Sequence, residues 1–194
     1  VNSALDLSLP VSLISEAVSS RFLSAIKEER VFASQKLVGP NKSYLGNNES
    51  MEKYLFQALY ASKIISYAQG FMLLRKANMV FNWSIPLAQT ALIWRGGCII
   101  KSQFLNMIAN AFKSDSEQIN ILFDEYFLNE MQKLQTGWRK VVAAAAEVGQ
   151  PIPAISAALS FYDGYRSEVL PANLIQAQRD FFGAHTYERV DKKR

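Results

Sequence analysis

The sequence predicts an all-α fold, a single bundle of roughly seven to nine helices spanning residues 1–194. Three observations carry that reading. Apolar residues recur at helical spacing in nearly every segment between Gly and Pro breakers, and no segment shows a convincing two-residue alternation. There is also no fixed-period repeat, no low-complexity tract and no linker long enough to divide the chain.

Taken in order, Ile14, Val18, Phe22, Ala25 and Ile26 predict one helix over Val11 to Leu37, with Pro10 before it and Gly39-Pro40 as its stop. The polar stretch Asn41 to Asn48 reads as a loop. Ser50 then caps a long helix running to about Val80, with Glu52 in its first turn. Beyond Trp83, Ser84-Ile85-Pro86 starts a short helix, and Arg95-Gly96-Gly97 breaks the chain before an apolar run. In that run, Cys98 to Phe112, the residues Ile99, Phe104, Ile108 and Phe112 predict a further helix. Ile119 to Val148 carries two helical patterns, the second marked by the stripe Trp138, Val141, Val142, Ala145 and Val148. Gly149, Pro151 and Pro153 separate it from a helix over Ile155 to Tyr165. Pro171 opens a last helix ending at Gly183.

The totals exclude several classes of function. A chain of 194 residues with 49% hydrophobic and 20% charged content can bury a real core, which argues against disorder. The net charge of +4 is modest, and part of it comes from Arg189, Lys192, Lys193 and Arg194 at the end, opposed by Asp191; it does not imply a nucleic-acid partner. The single cysteine, Cys98, has no internal disulfide partner and reads as a buried small hydrophobe, which suits a reducing compartment. Three N-x-S triplets, at Asn41, Asn48 and Asn82, read as loop and cap residues. The chain opens on Val1 with no initiator Met and no basic segment leading into an apolar one, so a chain truncated at its front is expected. The most hydrophobic segment, Tyr54 to Leu74, is interrupted by Gln57, Lys63 and Gln69, which points to a buried helix of a soluble protein and not to a membrane span.

Few residues offer chemistry. Arg95-Gly96-Gly97 is too short for a phosphate loop and lacks the strand-to-helix context, so nucleotide binding by this chain alone is not expected. One histidine and one cysteine far apart in sequence suit neither a metal site nor a nucleophilic pair. Arg21 lies in the apolar sector of its helix, where a permanent charge must meet an anion or reach water. Periodicity by itself favours the second, with the arginine stem along apolar surface. Arg179 and His185 would point about 120° apart on a continuous helix, but Gly183 can adopt left-handed dihedrals and turn His185 back. A guanidinium and an imidazole so placed suit a phosphate, while a surface arginine and a capping histidine remain the plainer alternative.

Two runs carry a resemblance: Ala157–Arg166, reading AALSFYDGYR, and Leu170–Glu188, reading LPANLIQAQRDFFGAHTYE. With Ala58–Phe71 (ALYASKIISYAQGF), Trp94–Ile100 (WRGGCII) and Ile14–Ala17 leading to Arg21, they resemble the C-terminal region of 6-phosphogluconate dehydrogenases. The similarity spans essentially the whole chain and is loosest over Asn41 to Asn48. The resemblance implies the C-terminal all-helical substrate-binding and dimerisation domain of a cytoplasmic, homodimeric, NADP-dependent enzyme of the pentose phosphate pathway. That family oxidises and decarboxylates 6-phosphogluconate to ribulose 5-phosphate. It further implies that the Rossmann-type NADP domain, the lysine and glutamate serving as base and acid, and a Lys-Gly-Thr-Gly-x-Trp segment lie before Val1. A short tail toward the partner subunit would follow Arg194. Carried over by motif, Arg21 matches the family's phosphate-binding arginine. Arg179 and His185 match the arginine and histidine that reach substrate from the second subunit. No catalytic residue, cofactor ligand or metal ligand is expected in this chain itself.

Two other classes compete. A non-catalytic helical dimerisation module would keep the buried stripes but have no use for converging Arg21, Arg179 and His185. A related hydroxyacid dehydrogenase acting on a non-phosphorylated substrate fits the Tyr162 to Tyr187 signature poorly.

Overall fold

A computed structural model of the chain describes residues 1–44 and 46–192; Lys193 and Arg194, half of the cationic tail, lie outside the described residues. Among the described residues there are nine α-helices, one 3-10 turn and no strand. Two compact units form, residues 1–159 and residues 160–194.

The first unit is built on two long helices, α4 (Asn48–Phe81) and α7 (Glu125–Glu147), packed side by side. From α4 the small and branched residues Ala58, Ala61, Ile64, Ile65, Ala68 and Phe71 are buried at helical spacing. From α7 come Phe127, Met131, Leu134, Trp138, Val141 and Ala145; Trp138, fully buried, donates Nε1–H to the Ile155 carbonyl at 3.3 Å. The two axes approach closely at Gly137, where any Cβ would overlap Gln57 Oε1 and lie 2.9 Å from Tyr54 Cδ1. Helices α5 (Leu87–Trp94) and α6 (Leu105–Ser114) pack on each other, and Phe112 of α6 stacks obliquely on Phe71 at 5.3 Å. The 3-10 turn Ile121–Phe123 leads into α7, whose N-cap Asp124 accepts from the Tyr126 amide.

Several elements depart from their sequence reading. The helix expected over Val11 to Leu37 is two, α2 (Ser12–Ala25) and α3 (Lys27–Lys36), because Ile26 leaves the helical region at φ −85°, ψ 55°. A short α1 (Asn2–Asp6), not expected, precedes them. Asn47, not Ser50, caps α4: its Oδ1 accepts the Ser50 amide at 2.9 Å. The apolar run after Gly97 stays out of helix until Leu105. Gly97 holds φ +75°, and the loop is tied to α4 by Tyr67 Oη donating to the Ile100 carbonyl and by Lys63 Nζ donating to Ser102 Oγ. Ile99 is therefore fully exposed, and Cys98 is half-buried where a buried residue was expected. The region Ile119 to Val148 yields one long helix after the 3-10 turn, not two, and Val142 and Val148 lie at the half-buried margin of its stripe. No helix of the described residues is long and apolar enough to cross a membrane.

Helix α8 (Pro153–Tyr165) ends within residues 160–194, where α9 (Ala172–Gly183) follows and no residue of α9 is buried.

Candidate functional site

Helix α2 carries Arg21. Its N-cap, Val11, has no side-chain acceptor, so the orphan amides of the first turn need another partner. Gln69, fully buried in α4, supplies it: Oε1 accepts the Ile14 amide at 3.4 Å and Nε2 donates to Ser12 Oγ at 3.3 Å. Ala4, Leu7 and Val11 are buried beside this cap. Past it, α2 buries nothing. The predicted core stripe is open: Val18 and Ile26 are exposed, and Phe22 is 71% exposed. Arg21 is exposed on this uncovered helix, and its guanidinium makes no hydrogen bond or ion pair with the described residues.

Arg179 and His185 belong to the second unit, and there the structure brings them together. Together with Gln178, Phe182 and Gly183 they line one shallow cleft of about 280 Å³. The means differ from the sequence expectation. Gly183 is still helical, and the left-handed turn is taken by Ala184 (φ 49°, ψ 42°) and again by Thr186 (φ 59°). For residues with a Cβ that conformation costs about 1–2 kcal/mol each. Gly183 matters for space instead: a Cβ there would sit 3.0 Å from His185 Nε2 and 3.2 Å from Cδ2, so any larger residue would push the imidazole off its place against the helix end.

The turn is held by two polar residues one helical turn apart, which the sequence reading missed. The Asp180 carbonyl accepts the Ala184 amide at 2.7 Å, and its Oδ1 accepts the Thr186 amide at 2.6 Å. Gln176 Nε2 donates to the Thr186 carbonyl at 2.7 Å while its Oε1 accepts from Arg179 Nη1 at 3.3 Å. The available signal was an i, i+4 polar pair just before a helix-ending glycine, the spacing at which side chains share a face and can satisfy terminal backbone groups.

Arg179 thus bonds an amide and not a carboxylate, leaving its positive charge uncompensated among the described residues. Other arginines of the resemblance are occupied structurally. Arg95 donates to Asn106 Oδ1 at 2.7 Å; Arg166 pairs with Asp163 at 3.1 Å and lies over the Tyr162 ring at 5.9 Å. Among the described residues no group of three His, Cys, Asp or Glu is arranged to hold a metal ion.

The arrangement suits a small, multiply charged oxyanion. A guanidinium fork and an imidazole N–H on one cleft wall, with no carboxylate among the residues that line it, provide charge-assisted donors of the kind phosphates take. The chain is 58% identical, over 98% of its length, to the decarboxylating 6-phosphogluconate dehydrogenase of Schizosaccharomyces pombe, of which it covers 39%. It is 53% identical to the Homo sapiens protein of the same name, again over 98% of the chain and 40% of that protein. Among solved structures, Plasmodium falciparum 6-phosphogluconate dehydrogenase, described in its apo form and in complex with its cofactor NADP+ and its substrate 6-phosphogluconate, superposes with a TM-score of 0.91. It is 38% identical, with 99% of this chain and 42% of that chain covered. The chain thus spans about two fifths of the length of the relatives it matches. The profile described as "6-phosphogluconate dehydrogenase, C-terminal domain" matches residues 1–194 from end to end, and the chain belongs to that family.

Proposed function

We propose that this chain is the substrate-binding and dimerisation domain of an NADP-dependent, decarboxylating 6-phosphogluconate dehydrogenase of the cytoplasm. The reaction is the oxidation and decarboxylation of 6-phosphogluconate to ribulose 5-phosphate. One observation carries the reading: Arg179 and His185, matched by motif to the family's second-subunit substrate residues, line one cleft with the helix-ending Gly183 between them.

In this reading Arg21 of one subunit and the Arg179–His185 pair of the other close around the substrate phosphate. A phosphate monoester carries close to two negative charges at neutral pH, so one bidentate arginine leaves oxygen lone pairs that further donors can satisfy. The guanidinium of Arg179 and an imidazole N–H of His185 supply them. Fixing the phosphate end holds the sugar-acid chain in register, and binding energy from this non-reacting end orients the carbon that is oxidised. With no strand among the described residues there is no strand–loop–helix cradle for a pyrophosphate, and NADP is assigned to the Rossmann-type part of the enzyme, along with the base and the acid.

The homodimer belongs to the same proposal. Leu174, Ile175, Phe181 and Phe182 of α9 are all largely exposed, and a helix that apolar is normally covered. A second subunit would cover them while delivering Arg179 and His185 to the partner's Arg21.

In the full-length enzyme, Arg179→Ala is expected to weaken 6-phosphogluconate binding by about 1.5–3 kcal/mol, the range for a charge-assisted hydrogen bond. Gluconate, which lacks the phosphate, should bind the variant and the parent alike. Equal phosphogluconate affinity in the two proteins would overturn the assignment. Thermal stabilisation by phosphogluconate and not by gluconate separates this reading from a plain dimerisation module.

A further inference from the structure

His185 sits between two residues, Ala184 and Thr186, that both hold left-handed backbone without being glycine. Such a turn persists only where its surroundings over-determine it. Here the surroundings are two side chains. The Asp180 carboxylate grips the Thr186 amide just after His185, while the Ala184 amide just before it is held by the main-chain carbonyl of Asp180, the ordinary bond of a helix end. Gln176 uses both ends of its amide, the NH2 on the Thr186 carbonyl and the oxygen on Arg179. They are the two half-buried residues of α9, all others being exposed. One amide therefore ties the guanidinium of the cleft to the turn that carries its imidazole.

We infer that Gln176 and Asp180 are positioning residues: they lock the Ala184–Thr186 turn and set His185 beside Arg179 without touching substrate. The inference rests on Arg179 and His185 being the phosphate pair. Its chemical content is specific. At Asp180 the requirement is for an acceptor, which asparagine also provides. At Gln176 it is for a donor and an acceptor on one planar group, which neither methionine nor an ionised glutamate provides. A fixed pair costs less ordering on binding than a mobile one, so loosening the turn should appear in substrate affinity and not in the chemical step.

Steady-state kinetics of the full-length enzyme provide the test. Asp180→Ala and Gln176→Met should each raise KM for 6-phosphogluconate about tenfold, the loss typical of one or two backbone hydrogen bonds. KM for NADP and kcat should stay within about twofold, and Asp180→Asn should restore most of the affinity. In a His185→Ala background the Asp180→Ala effect should largely vanish, because there is no imidazole left to position. Should Asp180→Ala fold poorly, Gln176→Met alone decides, its melting temperature being followed alongside. Unchanged phosphogluconate KM in both variants, or an undiminished Asp180→Ala effect without His185, would overturn the inference while leaving the phosphate pair standing. If Arg179→Ala and His185→Ala themselves change nothing, the reading beneath it fails instead.

Discussion

Helices α7 and α9 carry the same kind of sequence signal and end in opposite situations. Both show a run of aromatic and aliphatic residues at helical spacing. On α7 that stripe is buried along α4, with Phe127 and Trp138 wholly inaccessible. On α9 Leu174 is 77% and Phe181 85% exposed. An apolar stripe states that a face must be covered; it does not state whether the cover comes from the same chain. The residues proposed to meet the substrate follow the open case. Arg21 stands on α2, which buries nothing past its first turn, and Arg179 and His185 stand on or just after α9. Residues that must meet another subunit or a ligand cannot be packed under their own chain.

The sharpest way to break this contrast is to truncate one aromatic from each helix. Trp138→Ala should lower unfolding stability by about 3–5 kcal/mol, since it empties a large buried volume and removes the indole hydrogen bond to the Ile155 carbonyl. Its urea midpoint should fall accordingly. A shift under 1 kcal/mol would mean that the α4–α7 seam is not the stabilising core.

Phe181→Ala on α9 should hardly change the fold of a subunit but should weaken its self-association. A two-fold interface repeats each substitution, so a loss of about 3 kcal/mol is expected from two partly buried rings. Sedimentation across a dilution series reads it directly. If the dimer is untouched, some other face covers the chain.

A smaller effect sharpens the link between open helix and site. Gly183→Ala leaves an ordinary helical residue at a helix end, where alanine is favoured over glycine by up to about 1 kcal/mol. Yet its Cβ would press on His185 Nε2. Thermal stability should hold or rise slightly while phosphogluconate affinity drops several-fold in the full-length enzyme. A loss of stability with unchanged affinity would show that the glycine serves the helix end and not the imidazole.

How far the sequence was legible differs by residue. Arg179, His185 and Gly183 were found together because motif and spacing point to them. The actual turn at Ala184 was not, since nothing local in Ala-His-Thr favours left-handed backbone and its clamp comes from the side chain of Asp180. Gln69 was noticed only as a polar interruption in an apolar helix; its task, capping α2 in place of Val11, joins residues 55 apart in sequence. Ile99 misled outright: an apolar residue in an apolar run, it ends fully exposed because Gly97 and the bonds to Tyr67 and Lys63 hold the segment as a loop.

By itself the sequence determined the all-helical class, the long helix α4, the apolar stripe that α7 buries, the ends of α9 and the family. These depend on periodicity, on Gly and Pro, and on long motifs, all of which are local properties of the chain. Only the tertiary structure decided which stripes are buried, where α2 breaks, what caps it, and how His185 is turned onto the Arg179 side. Those outcomes depend on side chains that meet across a helical turn or across the unit, and a hydrogen bond or a missing cover of that kind leaves no periodic trace in the sequence.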